Sequence, residues 1–327
     1  MTPSRRLFLQ LGGAAALTPL SRLARADSSS WPSRVVKLEV GFPPGGGLDS
    51  AARIVAQALT DKWGQQIVIE NKPGAGGRIA MDAGAHAAPD GYTMLFAPGA
   101  PAVNSLLFES LTFDPAALAP VSLVGTYPNL IAVPNSSQFA KLEDFIVYGK
   151  ANPGKLSWAS PGVGSIPFLA GELFQSMAGL QMTHVPYRGV NAGGMTDLLA
   201  GRLDAMFNTT GSLLPAVTSK QVRCLAVTSA QRFPIAPDIP TVAESGVPGY
   251  EDTSWYALYV PVGTPADIIK KMSADTVALL KDDAIKQKFI PLGIVASGST
   301  PEELGARNAA DVARWGPIIK AAGIKGE

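Results

Sequence analysis

Along most of this chain, short apolar runs rich in valine, isoleucine, leucine and aromatics take turns with longer amphipathic stretches. That alternation restricts the fold more than any other feature, because it is how parallel strands joined by crossover helices read. The class is therefore α/β. VVKLEVGF (35–42) reads as a strand, and 49–63 as a helix with Ile54, Val55, Ala58 and Leu59 inward and Gly64 as its stop. QQIVIE, RIAMDAGAHA and TMLFAP follow as strand, helix and strand, with PDGY as a turn before the last. A second unit starts near Leu130: LIAVP, LEDFIVYGK, LSWAS and IPFLAGELFQSMAG alternate strand and helix. THVPY, LDAMF and VRCLAVT extend its sheet, linked by helices at 191–200 and 212–218. SWYALYVP is a strand feeding a helix with Pro265 in its first turn. A last helix, 301–321, turns Leu304, Ala309, Val312, Ile318 and Ile319 to one side.

A length of 327 residues suits two lobes. No long linker divides them, so the boundary falls where strands cross between sheets, near 125–132 and 255–261. The expected division is 32–125 plus 256–327 for one lobe and 126–255 for the other. Hydrophobic residues at 46% against 16% charged supply an ample core, and 34 Gly with 27 Pro supply sharp turns. A net charge of +1 without a basic run excludes a nucleic-acid footprint. The single cysteine, Cys224, lies in a strand and forms no intrachain disulfide.

The N-terminus fixes the compartment. SRRLFLQ (4–10) resembles a twin-arginine export signal; a Gly- and Ala-rich stretch follows, and Ala24-Arg25-Ala26 gives the small-x-small pattern for cleavage after residue 26. The apolar part is too short for a membrane span of about 20 residues. Residues 1–26 therefore read as a signal peptide and the mature protein as periplasmic and not membrane-embedded. Removing Arg5, Arg6, Arg22 and Arg25 leaves 23 basic against 26 acidic residues, a net charge of −3.

Two strand–loop–helix junctions share one chemistry, LEVGFPPGGGLDSAARI and LSWASPGVGSIPFLAGEL. Glycines permit positive φ and close ligand approach, and the free N–H groups of a helix start favour an anion. Both loops lie beyond the carboxyl ends of their strands, where ligands of open α/β sheets bind. Neither is a dinucleotide loop, since Ser50 and Pro167 stand where the last glycine of Gly-x-Gly-x-x-Gly is required. Asp49 reads either as a helix cap or as a carboxylate facing the cleft; Ser160 and Ser165 read either as caps or as ligand donors. Catalytic signatures are missing: the two histidines, His86 and His184, show no zinc or triad spacing, and no Gly-x-Ser-x-Gly or Cys-x-x-Cys occurs. No metal and no cofactor are expected.

Many ordered blocks, among them GFPPGGGLDSAAR, ENKPGAGGRIA, APDGYTMLFA, WASPGVGS, HVPYRGVNAGGMTDLLAGRLDAMF, PDIPTVAESGVPGYE and SWYALYVPVGTP, give the chain a further identity. It resembles the Bug-type extracytoplasmic receptors of tripartite tricarboxylate transporters, over essentially the whole mature length. The resemblance implies a type II periplasmic-binding-protein fold, two lobes closing like a Venus flytrap on a small carboxylate, with transporter membrane subunits as partners and a monomeric receptor. It places ligand contacts at Phe42, Gly46, Gly47, Leu48 and Asp49 in the first loop and Ser160, Gly164 and Ser165 in the second. Asn208 and Thr209 would approach from the second lobe. Leu48 stands where the family commonly has a polar residue and Phe168 where it often has histidine, so both belong to the expected site and imply a less polar ligand, aromatic or medium-chain. Sensing for a membrane kinase and a periplasmic enzyme are the alternative functions.

Overall fold

The computed structural model describes residues 31–187 and 193–325. The export signal expected at 1–26 and part of the helix expected at 191–200 lie outside the described residues. The first β-α-β-α-β unit runs β1 (Val36–Val40), α1 (Gly47–Trp63), β2 (Ile67–Asn71), α2 (Arg78–Ala85) and β3 (Thr93–Pro98). β1 pairs in parallel with both β2 and β3. The buried stripe of α1 is Ala51, Ala52, Val55, Ala56 and Leu59, with Ile54 and Ala58 half-buried, so small residues face the sheet and the helix packs close. Gly64 ends it at φ +66, the left-handed conformation glycine adopts without strain.

After the short α3 (Asn104–Leu107), β4 runs for 17 residues (Leu118–Pro134) and joins two half-sheets. Its first part pairs antiparallel with β9 (Thr253–Pro261), which in turn pairs with β3. From Asn129 onward it pairs instead with β7 (Ala205–Thr209) and β8 (Val222–Val227). The second unit adds α4 (Leu142–Ala151), β5 (Ser157–Ser160), α5 (Ile166–Ala178), β6 (Thr183–Pro186), α6 (Met195–Leu199) and α7 (Thr210–Thr218). β5 lies parallel between β6 and β7. The strand order is β2-β1-β3-β9-β4-β7-β5-β6.

Where β4 changes partners, the buried Asn129 donates its amide to Asp252 (2.8 Å) and its backbone N–H to Thr228 Oγ1 (2.7 Å). Thr228 in turn donates to the Asp252 carbonyl (2.7 Å). This buried polar knot ties the two crossing strands together.

The chain ends with α8 (Ala266–Leu280), α9 (Asp283–Phe289), the two-residue β10 (Val295–Ala296) and α10 (Pro301–Ala322). α10 starts with a capping box, Thr300 and Glu303 closing each other's backbone N–H. Its inward seam is Leu304, Trp315 and Ile319, joined by two polar residues. Asn308 accepts from the Tyr259 hydroxyl (2.9 Å) and Asp311 from the Trp255 indole (2.9 Å). Ala309, expected inward, is exposed, because the partners these aromatics require set the helix's rotation. Among the described residues no helix is long and apolar enough to cross a membrane.

Candidate functional site

At the first junction, Gly46 is the N-cap of α1 in an extended conformation and, as a glycine, offers no capping side chain. The Asp49 carboxylate is 1% exposed and fully engaged behind the loop. It accepts from Gly45 N–H (2.9 Å), from Arg53 Nε (2.8 Å) and Nη2 (3.0 Å), and from Asn71 Nδ2 (2.9 Å). Burial resists its ionisation, but these donors and the Arg53 charge outweigh burial and hold the carboxyl below its usual range. Asp49 is thus neither the N-cap nor a group facing the cleft. It buckles the loop to α1 and β2 through Arg53 and Asn71 and pins it at the Gly45 N–H.

The second junction spends its polar groups on itself. Ser165, the N-cap of α5, accepts from Phe168 N–H (3.4 Å) and donates to the Gly162 carbonyl (2.7 Å). Ser160 Oγ lies 2.7 Å from His184 Nε2 and accepts from Gly162 N–H (3.2 Å). His184 sits against Trp158 (ring centroids 4.4 Å) and Phe168 (5.0 Å), and burial lowers its pKa to about 4. It is neutral at physiological pH. Phe168 corrects the sequence expectation: it is 5% exposed in the main core, stacked on Trp158, because its place on α5 points back onto the sheet. At Gly164 (φ +84) a Cβ would lie 2.9 Å from the Phe108 ring. Ser160, Gly164, Ser165 and Phe168 therefore shape the loop rather than line the cavity beside it.

That cavity lies where the β1–α1 and β7–α7 junctions meet. Gly47 N–H donates to Ser212 Oγ (3.3 Å), and Thr209 Oγ1 donates to the same oxygen (3.1 Å). The backbones nearly touch: a Cβ on Gly211 would sit 2.9 Å from Gly47 Cα, and one on Gly47 2.9 Å from Thr209 Oγ1 and 3.2 Å from the Tyr256 hydroxyl. A second close approach joins the loop before α2 to the second junction, where a Cβ on Gly76 would fall 2.5 Å from the Val163 carbonyl. The empty space there is about 510 Å³ with the adjoining open solvent included.

Of the expected residues, Phe42, Gly46, Gly47, Leu48, Asn208 and Thr209 line this space. Pro98, Tyr127, Ile166, Ser212 and Tyr256 line it too and were missed. Ile166, next to Ser165, was within reach of the motif; Tyr127 and Tyr256 arrive only through the pairing of β4 with β9. The two tyrosine rings lie 4.1 Å apart, and burial keeps both phenols protonated. The Tyr127 hydroxyl is fully buried; Tyr256 and Ser254 are its neighbours, yet no group meets it in hydrogen-bond geometry. None of the described lining side chains is a carboxylate, a histidine, a lysine or an arginine. Among the described residues no group of three or more His, Cys, Asp or Glu could hold a metal ion.

Residues 51–324 match the TctC family, described as the tripartite tricarboxylate transporter family receptor. The chain belongs to this receptor family. Among solved structures it is similar to Rhodopseudomonas palustris Rpa4515 with adipate (35% identity, TM-score 0.86), covering 90% of this chain and 99% of that one. The periplasmic binding protein BugD is similar at 32% identity and TM-score 0.85, covering 91% and 100%. MatC from Rhodopseudomonas palustris, with bound malate, is similar at 30% identity and TM-score 0.82, covering 88% and 100%. The fold is accordingly the two-lobed periplasmic-binding-protein fold of a receptor family, and its members are periplasmic.

Proposed function

We propose that this receptor captures a small carboxylate in the cavity between the β1–α1 and β7–α7 junctions and presents the closed form to the membrane subunits of a tripartite tricarboxylate-type transporter. The observation that carries the reading is the meeting of two helix starts without side-chain caps, those of α1 and α7, at one buried space. First-turn N–H groups and the positive end of the helix dipole attract an anion there without any cationic side chain. The relatives solved with adipate and malate support the same ligand class. The described lining holds no histidine, carboxylate or amine to activate its Thr209 and Ser212 hydroxyls, and no metal cluster occurs among the described residues, which favours capture over turnover. In this reading the arginine pair at Arg5 and Arg6 directs the chain to twin-arginine export, folded before it crosses, and the receptor works as a monomer.

The lobes in this reading are 32–125 plus 256–327 and 126–255, with the Asn129–Thr228–Asp252 knot at the hinge. Ligand contacts from both lobes favour the closed state. Thermal-shift screening of the mature chain against a carboxylate library tests the reading, since binding raises stability by RT ln(1 + [L]/Kd). Stabilisation by at least one carboxylate is expected. A flat response across the library would overturn it.

A further inference from the structure

The cavity wall is divided in a way that specifies more than a carboxylate. Its polar groups gather around Gly47: the Thr209 and Ser212 hydroxyls and the Tyr256 hydroxyl all lie against that glycine. The Asn208 amide, next to Thr209 and accepting from its N–H, is a further polar group of the lining, while Phe42, Pro43, Leu48, Pro98, Pro161, Ile166 and Pro167 make an apolar wall with no side-chain hydrogen-bonding group. Arg53 is bound to Asp49 behind the loop, and a second cation, Arg78, is on a neighbouring groove. Arg78 shares that groove with Phe42 and Pro161, but its guanidinium lies 3.4 Å over the Phe108 ring and its Nε is given to the Ala75 carbonyl (3.0 Å). A charge pressed against this apolar wall would lose its water and gain no partner.

The Tyr127 hydroxyl supplies the second observation. The Tyr127 side chain lines the cavity, and its hydroxyl is buried beside those of Ser254 and Tyr256 with no group in good hydrogen-bond geometry, a state natural interiors rarely leave a donor in. Its ring packs on Tyr256, so the hydroxyl belongs to the polar side of the cavity. A carboxylate at the starts of α1 and α7 would accept from it, a charge-assisted bond of the stronger kind.

Building on the receptor reading above, we infer that the ligand is a monocarboxylate with an uncharged apolar body, its carboxylate accepting from the Tyr127 hydroxyl and its body against the proline- and phenylalanine-lined wall. This sets the chain apart from relatives solved with adipate and malate, which carry a charge at each end.

Titration calorimetry of the mature chain with matched pairs tests it: hexanoate against adipate, and benzoate against terephthalate. In at least one pair the monocarboxylate should bind about 100-fold more tightly. A dicarboxylate that bound as tightly as its partner would overturn the inference and leave the receptor reading standing. Absence of binding by every carboxylate in a wider library would instead overturn that reading, and the inference with it. Tyr127→Phe provides the second arm. Removing an unpartnered hydroxyl should leave the unliganded melting temperature unchanged or raised, while monocarboxylate affinity falls about 10-fold or more. Unchanged affinity would remove Tyr127 from the site.

Discussion

The first glycine loop, 42–49, and the second, 159–165, leave parallel strands and enter helices through nearly the same residues, yet they dispose of their polar groups in opposite ways. In the first, Asp49 is drawn backward onto Arg53, Gly45 and Asn71, and at the start of α1 the Gly47 N–H meets Ser212 of α7. In the second, Ser160 and Ser165 close the loop on Gly162, Phe168 and His184. The lesson is that two glycine-rich loops of like sequence can anchor their side chains differently, one onto its helix and the neighbouring strand, the other onto itself. In the proposed function the first loop receives the anion and the second walls the space.

The comparison can be broken at several points. Asp49→Ala has the largest expected effect, because it takes one shared, buried acceptor from the Arg53 guanidinium, the half-buried Asn71 amide and the Gly45 N–H. Urea denaturation should show a loss of about 2–3 kcal/mol, with ligand affinity falling alongside as the loop loosens. Gly211→Ala separates closure from folding. Gly211 lies within helix α7, where alanine is the better helix former, but its Cβ would meet Gly47 Cα at 2.9 Å. Stability should hold while affinity falls about 10-fold, near 1.4 kcal/mol, by calorimetry. Ser165→Ala removes a cap in the second loop, so stability should drop about 1 kcal/mol with affinity nearly unchanged. A large loss of affinity there would show that the second loop also binds the ligand directly.

Acid should distinguish the loops more gently. The folded pKa of His184 is depressed below the imidazole's ordinary value, to about 4. Its contribution is therefore present above about pH 6.5 and is lost as pH falls toward 4, because the unfolded chain takes up a proton that the folded imidazole resists until about pH 4. Asp49 is depressed below the ordinary aspartate range, so the first loop keeps its buckle through that same window and loses it only at lower pH. Hydrogen exchange between pH 6.5 and 4 should show the second loop opening before the first. The reverse order would contradict this assignment of roles.

Much of the fold was legible because parallel strands and amphipathic helices leave strong periodic signals: β1, β3, α4 and α5 lie within a residue or two of their expected limits. The first half of β4 was not, since Pro120, Gly125 and Pro128 interrupt its pattern. The strand accommodates the first two with register shifts at Pro120/Ser122 and Leu123/Gly125. The site was half legible for a related reason. The glycines and the Asn208–Thr209 pair sit in local motifs, whereas Tyr127, Tyr256 and Ser212 become neighbours only when distant segments pair. Phe168 misled because a residue just past a binding loop has no local mark of which way its helix turns it.

The most direct measurement is the crystal structure of the mature chain with the tightest-binding carboxylate found by screening. The carboxylate should lie within about 3 Å of first-turn N–H groups of α1 and of the Tyr127 hydroxyl, with Gly47 still against Gly211. A carboxylate held instead by the Ser160 and Ser165 hydroxyls, with the β1–α1 and β7–α7 junctions apart, would contradict the account.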